Sequence, residues 1–205
     1  LIHRRCTDEG VDAAHAWFIN RVRPRALPRE HVLHPGTEWV MRSVLGGTLD
    51  LGLALRGVDD HGREDTEAVG LLPAGLLAAA GIDLHAAADR AERYLSDMAD
   101  LAADRIRRDG SATLRPLGDA DVVTLLASIT FRSAVVDGQG MRSAAIPSLD
   151  RGWLDLGRLD PAFAVSAAKL TDPENRGFPR PVLITADEVT LVREGGQIVR
   201  AALED

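Results

Sequence analysis

Four leucines occupy every second position within the segment GGTLDLGLALRG, residues 46–57. Between them stand Asp50, Gly52 and Ala54, of which only the aspartate has an extended side chain. In a helix this alternation would spread the leucines around the axis, and each of the four glycines would cost about 1 kcal/mol relative to alanine. In a strand the leucines share one face. The segment therefore predicts a β-strand with one apolar face and one nearly bare face.

The bare face of this strand has two interpretations. Small side chains at Gly52 and Ala54 would let an alanine-lined helix lie close against the sheet, and we favour this interpretation. Alternatively, the same positions leave space for a small ligand between the sheet and the long helix, with Asp50, Gly52 and Arg142 as ligand-binding candidates. Arg142 follows the glycines of DGQGMRS, where a guanidinium beside backbone N–H groups suits an anion, although an ordinary turn is the simpler explanation.

The clearest helix signal begins at Asp83. Apolar residues recur at intervals of three or four positions from Leu84 to Ile106, and charged residues fill the other faces. This spacing predicts a long amphipathic helix over about 84–108. Asp83 is a suitable N-cap, and Gly110 supplies a C-terminal stop behind a basic last turn. The alanines of the apolar stripe predict a close approach to the surface that the helix covers.

The remaining segments are assigned from spacing and capping. Thr7–Val22 carries apolar residues at helical intervals and is predicted to form a helix that Pro24 and Pro28 stop, and the proline-punctuated stretch 26–36 is predicted to be irregular. Residues 130–136 follow a helical segment and favour a strand, because the region is rich in β-branched side chains. The dipeptide Asp160-Pro161 predicts the start of a further helix.

Three apolar segments close the sequence, VLITA, VTLVR and QIVRAAL, and polar turns separate them. This pattern is typical of a C-terminal β-meander. Strands and helices do not alternate with glycine-rich junctions, which argues against a doubly wound dinucleotide fold. We therefore predict an α+β fold, in which amphipathic helices cover a mainly antiparallel sheet. Residues 1–205 are expected to form a single domain, with the proline-rich stretch 172–181 as the candidate for a minor boundary.

Composition and charge disfavour several classes of function. The formal net charge of −7 argues against partners such as nucleic acid or an anionic membrane surface, because affinity for phosphate grows with the cations brought to it. No apolar run approaches the roughly 20 residues that a membrane-spanning helix needs. Cys6 is the one cysteine, which excludes a disulfide within the chain and fits a cytoplasmic protein. Lys169 is the one lysine, a bias that suggests a GC-rich bacterial genome.

Histidines and neighbouring acidic residues are the catalytic candidates. His31 and His34 are two residues apart, and the turn VDDHGRED places Asp60 beside His61. If the turn Asp59–His61 meets the two histidines in space, these side chains could bind a metal and activate water, as in a small metal-assisted hydrolase. Neither the helical His-Glu-x-x-His motif nor the spacing of a calcium loop is present. We expect no resident metal or cofactor, so the hydrolase is an alternative hypothesis.

One tryptophan lies in a leucine-rich stretch, RGWLDLGRLDP. If this stretch is exposed, its side chains would anchor a protein partner. If it is buried, they form a plug over the sheet, and we favour that interpretation of the stretch. If the stretch is exposed, the partner-binding candidates are Trp153, Leu154 and Leu156.

The leading hypothesis is a non-catalytic binding or assembly module that associates with itself or with another protein. The sequence has no Gly-x-Ser-x-Gly nucleophile elbow and no P-loop. The C-terminal meander offers a strand edge that another chain could extend. We therefore expect a protein partner or a homo-oligomer rather than an enzyme, with the hydrolase and a small-ligand-binding protein as alternatives.

Overall fold

The leucine segment forms the central strand of a four-stranded antiparallel sheet, as its alternation predicts. The computed structural model of the protein describes residues 2–155 and 161–192. The strands of this first sheet are β1 (Val22–Pro28), β2 (Val40–Val44), β3 (Leu49–Val58) and β4 (Glu64–Leu71). The central β3 pairs with each of the other three strands. Neighbouring strands therefore hold it along both edges.

Strand β1 corrects the expectation of an irregular segment up to Gly36. All of its residues pair with β3 even though it contains Pro24 and Pro28. The backbone N–H of Ala26 donates to Thr124 Oγ1 at 3.0 Å, so this nitrogen points away from β3. The two prolines lie two residues before and after Ala26, and their nitrogens point the same way because strand directions alternate. Neither proline therefore removes a hydrogen bond to β3.

The helices cover the sheets from several sides. They are α1 (Ile2–Glu9), α2 (Val11–Arg21), α3 (Ala74–Ala79), α4 (Leu84–Asp109), α5 (Val122–Leu125), α6 (Ile129–Val136) and α7 (Pro161–Leu170), with 3-10 turns at Thr37–Trp39 and Pro173–Asn175. Helix α4 confirms the predicted long helix. Asp83 accepts the His85 N–H at its start, and Gly110 ends it in the left-handed conformation with φ 58°.

Two of the predicted helix and strand assignments change in the structure. The helix predicted over Thr7–Val22 is divided at Gly10, whose φ of 88° interrupts it, and Val22 already belongs to β1. The strand predicted over 130–136 is the helix α6. Its buried Phe131, Ala134 and Val135 follow the helical interval, which outweighs the β preference of its branched side chains.

The second sheet contains the C-terminal strands. Its members are β5 (Thr113–Leu114), β6 (Arg142–Ser148), β7 (Arg151–Leu154), β8 (Val182–Ile184) and β9 (Val189–Leu191). All pairs are antiparallel, in the order β5-β7-β6-β8-β9. Strands β8 and β9 are the first two strands of the predicted meander, and the predicted third strand, QIVRAAL, lies outside the described residues. The fold is α+β, as predicted.

The stretch 172–181 lies against the second sheet. The Gly177 N–H donates to Pro147 O at 3.0 Å, and the Phe178 N–H donates to Ile146 O at 2.7 Å. Phe178 is buried in the main core. These contacts connect the stretch to β6, and the single domain stays a prediction.

Helix α4 packs on the leucine face, which corrects the interpretation of the bare face. Leu53 and Leu55 share a core cluster with Ala87 and Ala91 of α4. The bare face is instead covered by Trp39. A Cβ atom at Gly52 would lie 2.3 Å from Trp39 Cε2, closer than any real contact allows. The Trp39 indole N–H also donates to Leu53 O at 2.8 Å, so the ring is fixed in this position.

We expect Gly52→Ala to destabilise the fold by about 1–3 kcal/mol, because the added methyl group must displace the Trp39 ring from a close-packed position. Denaturant unfolding measures the change. The matched control is Gly75→Ala in α3, where a Cβ meets no atom within 4 Å and alanine favours the helix. Equal stability of Gly52→Ala and the wild type would contradict this account of the bare face.

Candidate functional site

The loop between β1 and β2 orients two histidine rings in the same way. The Leu33 N–H donates to His31 Nδ1 at 3.1 Å, and the Gly36 N–H donates to His34 Nδ1 at 3.1 Å. Each ring therefore accepts a hydrogen bond from the backbone two residues further on. In a neutral imidazole, an accepting Nδ1 places the proton on Nε2. Both histidines consequently present an N–H group at Nε2.

The buried Asp50 carboxylate holds one end of this loop. His34 Nε2 donates to its Oδ2 at 3.1 Å, and the Ser43 hydroxyl donates to its Oδ1 at 2.5 Å. Arg29 Nε lies 3.4 Å from the same Oδ2. Because both carboxylate oxygens have partners, Asp50 anchors the loop to β3 rather than offering an open ligand. The structure thus brings two candidates, His34 and Asp50, into direct contact.

Gly52 belongs to the same cluster through Trp39. The His34 ring meets the Trp39 ring edge-on, with 5.3 Å between the ring centroids. Since Trp39 fills the space over Gly52, this glycine accommodates an indole of its own chain. The ligand space predicted between the bare face and α4 is therefore occupied at Gly52.

His31 is buried, and its Nε2 makes no hydrogen bond with the described part of the chain. Burial lowers the pKa of His31, and the positive charge of Arg25 lowers it further. The backbone carbonyl of Arg176 and the more distant Asp60 raise it in part. The ring is therefore neutral at neutral pH, and its N–H group is enclosed without a partner of good geometry.

Unpartnered polar atoms concentrate around His31. Six buried side-chain nitrogen or oxygen atoms in residues 2–155 and 161–192 make no hydrogen bond. Three of them, Arg25 Nε, His31 Nε2 and Arg176 Nε, form one neighbourhood, together with Asp121 Oδ2, whose partner is the charged Arg25 side chain. Arg25 and Asp121 form an ion pair at 3.3 Å. Burial raises the pKa of Asp121, and the positive charge of Arg25 offsets this rise only in part. Such a concentration is unusual, since buried polar groups in native proteins are nearly all satisfied.

A cleft of about 380 Å³ opens beside this neighbourhood, and we call it the His31 cleft. It lies where the loop after β1 meets the stretch before β8. Its charged and polar lining residues are Arg29, Glu30, His31, Thr48 and Arg176. Its apolar lining residues are Pro28, Val32, Pro173, Phe178, Pro179 and Leu191. The cleft therefore combines an apolar wall with two guanidinium groups and one carboxylate.

The acidic turn does not join the histidines in a metal site. Asp59 accepts the backbone N–H groups of His61 and Arg63 and pairs with the Arg63 side chain at 2.7 Å. These bonds lower the pKa of Asp59. Asp60 accepts the Leu71 N–H at 2.8 Å. The described ranges contain no group of three His, Cys, Asp or Glu side chains that could hold a metal ion. The arrangement that a metal-assisted hydrolase requires is not found there.

Arg142 lies in the second sheet, on β6. It forms a two-pronged ion pair with Asp155, at 2.9 and 2.6 Å, and donates to Val135 O at 3.0 Å. The hydrogen bonds to Asp155 raise the pKa of Arg142 further. Its guanidinium therefore joins β6 to neighbouring segments, and it does not converge with Asp50 and Gly52.

The three partner-binding candidates have different environments. Trp153 is half-buried and meets the exposed Phe163 of α7 edge-on, with ring centroids 6.4 Å apart. Leu154 is buried in the core. Leu156 lies outside the described residues. Of the candidates with a described position, Trp153 alone reaches the surface.

The sequence offered no local signal for the arginines of the His31 cleft. Arg176 lies in the stretch 172–181, whose proline content suggests a linker, and Arg29 lies in the stretch 26–36, which was predicted to be irregular. Their common location depends on the pairing of β1 with β3 and on the contacts of Gly177 and Phe178 with β6.

Comparison of the chain with known protein families, curated proteins and solved structures gives no significant match. None of the helices within the described ranges is long and apolar enough to cross a bilayer. The argument for function therefore depends on the geometry above.

The lowered pKa of His31 makes a prediction about stability and pH. In the unfolded chain histidine titrates near pH 6.5, so below that pH the unfolded state binds more protons than the folded one. Stability should therefore fall as pH decreases from 7 to 5. His31→Asn, whose oxygen still accepts the Leu33 N–H, should show a shallower loss in urea unfolding. The exposed His85, replaced by Asn, is the control and should keep the wild-type slope. Parallel curves for all three proteins would contradict the buried, neutral state of His31.

Proposed function

We propose that this protein binds a small amphiphilic anion in the His31 cleft. The observation that carries the proposal is the group of unpartnered buried atoms around His31, beside an open cleft. The unpartnered atoms, Arg25 Nε, His31 Nε2 and Arg176 Nε, are all nitrogen donors, so the local need is for an acceptor. The volume of about 380 Å³ falls in the range of small-molecule sites, about 300–1,000 Å³.

The cleft lining indicates the chemistry of the ligand. Arg29 has a side chain that is 59% exposed, and its contacts with Asp50 and Ser43 leave further N–H donors available. Arg176 donates through one terminal nitrogen to Thr171 O at 3.0 Å. Guanidinium groups bind carboxylates and phosphates with directed hydrogen bonds. The apolar wall around Phe178 suits a hydrocarbon body. A compact carboxylate or phosphate monoester with an apolar chain fits both parts.

Binding of an anion should be linked to proton uptake by His31. A negative charge in the cleft favours the protonated imidazole and therefore raises the pKa of His31. Because the ring is neutral in the unliganded protein, the complex would take up a proton as pH falls toward the new pKa. Affinity for the anion should increase below neutral pH.

Thermal unfolding with straight-chain carboxylates from butyrate to decanoate, and with the matching alkyl phosphates, tests the proposal. A ligand at 100 times its Kd should stabilise the protein by about 2.7 kcal/mol. Arg29→Gln should weaken binding about tenfold, equivalent to about 1.4 kcal/mol, because it removes one guanidinium. Arg93→Gln, an exposed change on α4, is the control. Absence of stabilisation by every member of both series, or equal affinity in Arg29→Gln, would contradict the proposal.

Self-association is a second candidate function, favoured by the aromatic pair on β7 and α7. Phe163 is 52% exposed and Leu170 is 87% exposed, which places large apolar side chains of α7 at the surface beside Trp153. A second copy of the chain could cover them. This assembly is the leading hypothesis from the sequence.

If a second copy covers α7, native mass spectrometry should show a dimer that Phe163→Ser shifts toward monomer. The control is Ile129→Ser on α6, which removes a side chain of similar exposure, 57%, and should leave the dimer unchanged. A monomer at all concentrations of the wild type would exclude this candidate.

A further inference from the structure

A second polar groove, separate from the His31 cleft, lies between α1–α2 and the ends of β3 and β4. It has a volume of about 700 Å³. Trp17 of α2 is one of its lining residues, with the guanidinium carbon of Arg5 4.0 Å from the ring centroid and that of Arg21 at 4.4 Å. Both guanidiniums therefore stack on the same indole. We call this the Trp17 groove.

The arginines of the Trp17 groove differ in how many of their N–H donors already have an acceptor within the protein. Arg23 is committed to Asp119 at 2.6 Å and to two backbone carbonyls. Arg5 pairs with Glu9 at 2.6 Å, yet its Nε is enclosed without a hydrogen-bond partner. Arg21 makes no ion pair or hydrogen bond with the described part of the chain, apart from its stacking on Trp17.

Arg56 completes this side of the groove. Its side chain is 46% exposed and reaches Asp119 only at 3.5 Å. Together, Arg5, Arg21 and Arg56 leave donors directed to no acceptor among residues 2–155 and 161–192. Stacking on Trp17 holds two of these guanidiniums flat, which reduces the entropy lost when they bind an anion.

The part of the lining that β4 contributes is acidic, and we call it the acidic wall, as distinct from the arginine wall formed by Arg5, Arg21 and Arg56. The exposed start of β4 contributes Glu64, Asp65 and Glu67 to the same lining. Asp65 also accepts the Glu67 N–H at 3.0 Å, which fixes the local backbone. A purely anionic ligand at the arginines would meet repulsion from this wall, and a purely cationic ligand would meet repulsion from the arginines.

We propose that the Trp17 groove binds a small zwitterion, with a phosphate or carboxylate at the arginine wall and an ammonium group at the acidic wall. Both walls then contribute attraction to a single ligand. The proposal is independent of the His31 cleft, because the two linings share no residue.

Isothermal titration of the Arg29→Gln variant, in which alkyl phosphate binding at the His31 cleft is weakened, with ω-aminoalkyl phosphates of two to six carbons tests this proposal. The matched probes are the alkyl phosphates, which lack the ammonium group, and the alkylamines, which lack the phosphate. We expect the best aminoalkyl phosphate to bind at least tenfold more tightly than either matched probe. We also expect its affinity to fall as salt is raised, because both contacts are electrostatic.

Variants of each wall assign the two contacts. Arg21→Gln should weaken the zwitterion and the alkyl phosphate at least fivefold. Glu67→Gln should weaken the zwitterion and leave the alkyl phosphate equal or tighter. Arg93→Gln serves as the control, and the melting temperatures of all variants report whether they fold. Equal binding of alkyl phosphate and zwitterion would overturn the proposal in favour of a plain anion site. No binding of any probe to the folded wild type would overturn it entirely.

Discussion

The buried carboxylate of Asp50 is the contact on which the arrangement around the His31 cleft depends. Placed on the bare face of β3, it accepts hydrogen bonds from Ser43 and His34 and has Arg29 beside it. A buried carboxylate that loses its partners is strongly destabilising, so the fold depends on all three contacts being present. They hold the loop after β1 across β3. His34 in turn contacts Trp39, whose ring fills the space over Gly52. The position of His31 at the cleft follows from this anchoring.

The sequence predicted those parts of the fold that depend on local periodicity. The leucine alternation of β3 and the apolar stripe of α4 each bury one face whatever the neighbours are, so the element type follows from the interval between apolar residues. Capping also acts locally, and Asp83 and Gly110 end α4 as expected. The α+β class follows from these elements and from β8 and β9.

Errors arose where a distant partner decides the structure. Pro24 and Pro28 predicted the end of a helix, and prolines predicted an irregular stretch over 26–36, but the edge position of β1 makes Pro24 and Pro28 compatible with a strand. The donation from Ala26 to Thr124 shows that this edge faces away from β3. The β-branched residues of α6 predicted a strand, but the segment is a helix because its apolar side chains are buried against the core at helical intervals. The small size of Gly52 indicated that another group packs closely against β3. The sequence did not identify that group as the Trp39 ring. The cleft could not be predicted for the same reason, since its lining residues Arg29 and Arg176 are far apart in sequence.

The unpartnered atoms around His31 also bear on why the fold keeps this cleft. Leaving a buried donor or acceptor without a partner costs about 1–3 kcal/mol, whereas a domain of this kind is stable by only about 5–15 kcal/mol. Three such nitrogens in one neighbourhood, those of Arg25, His31 and Arg176, therefore represent a substantial fraction of the total stability. If their role were only structural, apolar side chains of similar volume would fill the same space at lower cost. The proposal of an anion in the His31 cleft assigns a role to these polar groups, because the anion would supply the acceptor that they lack.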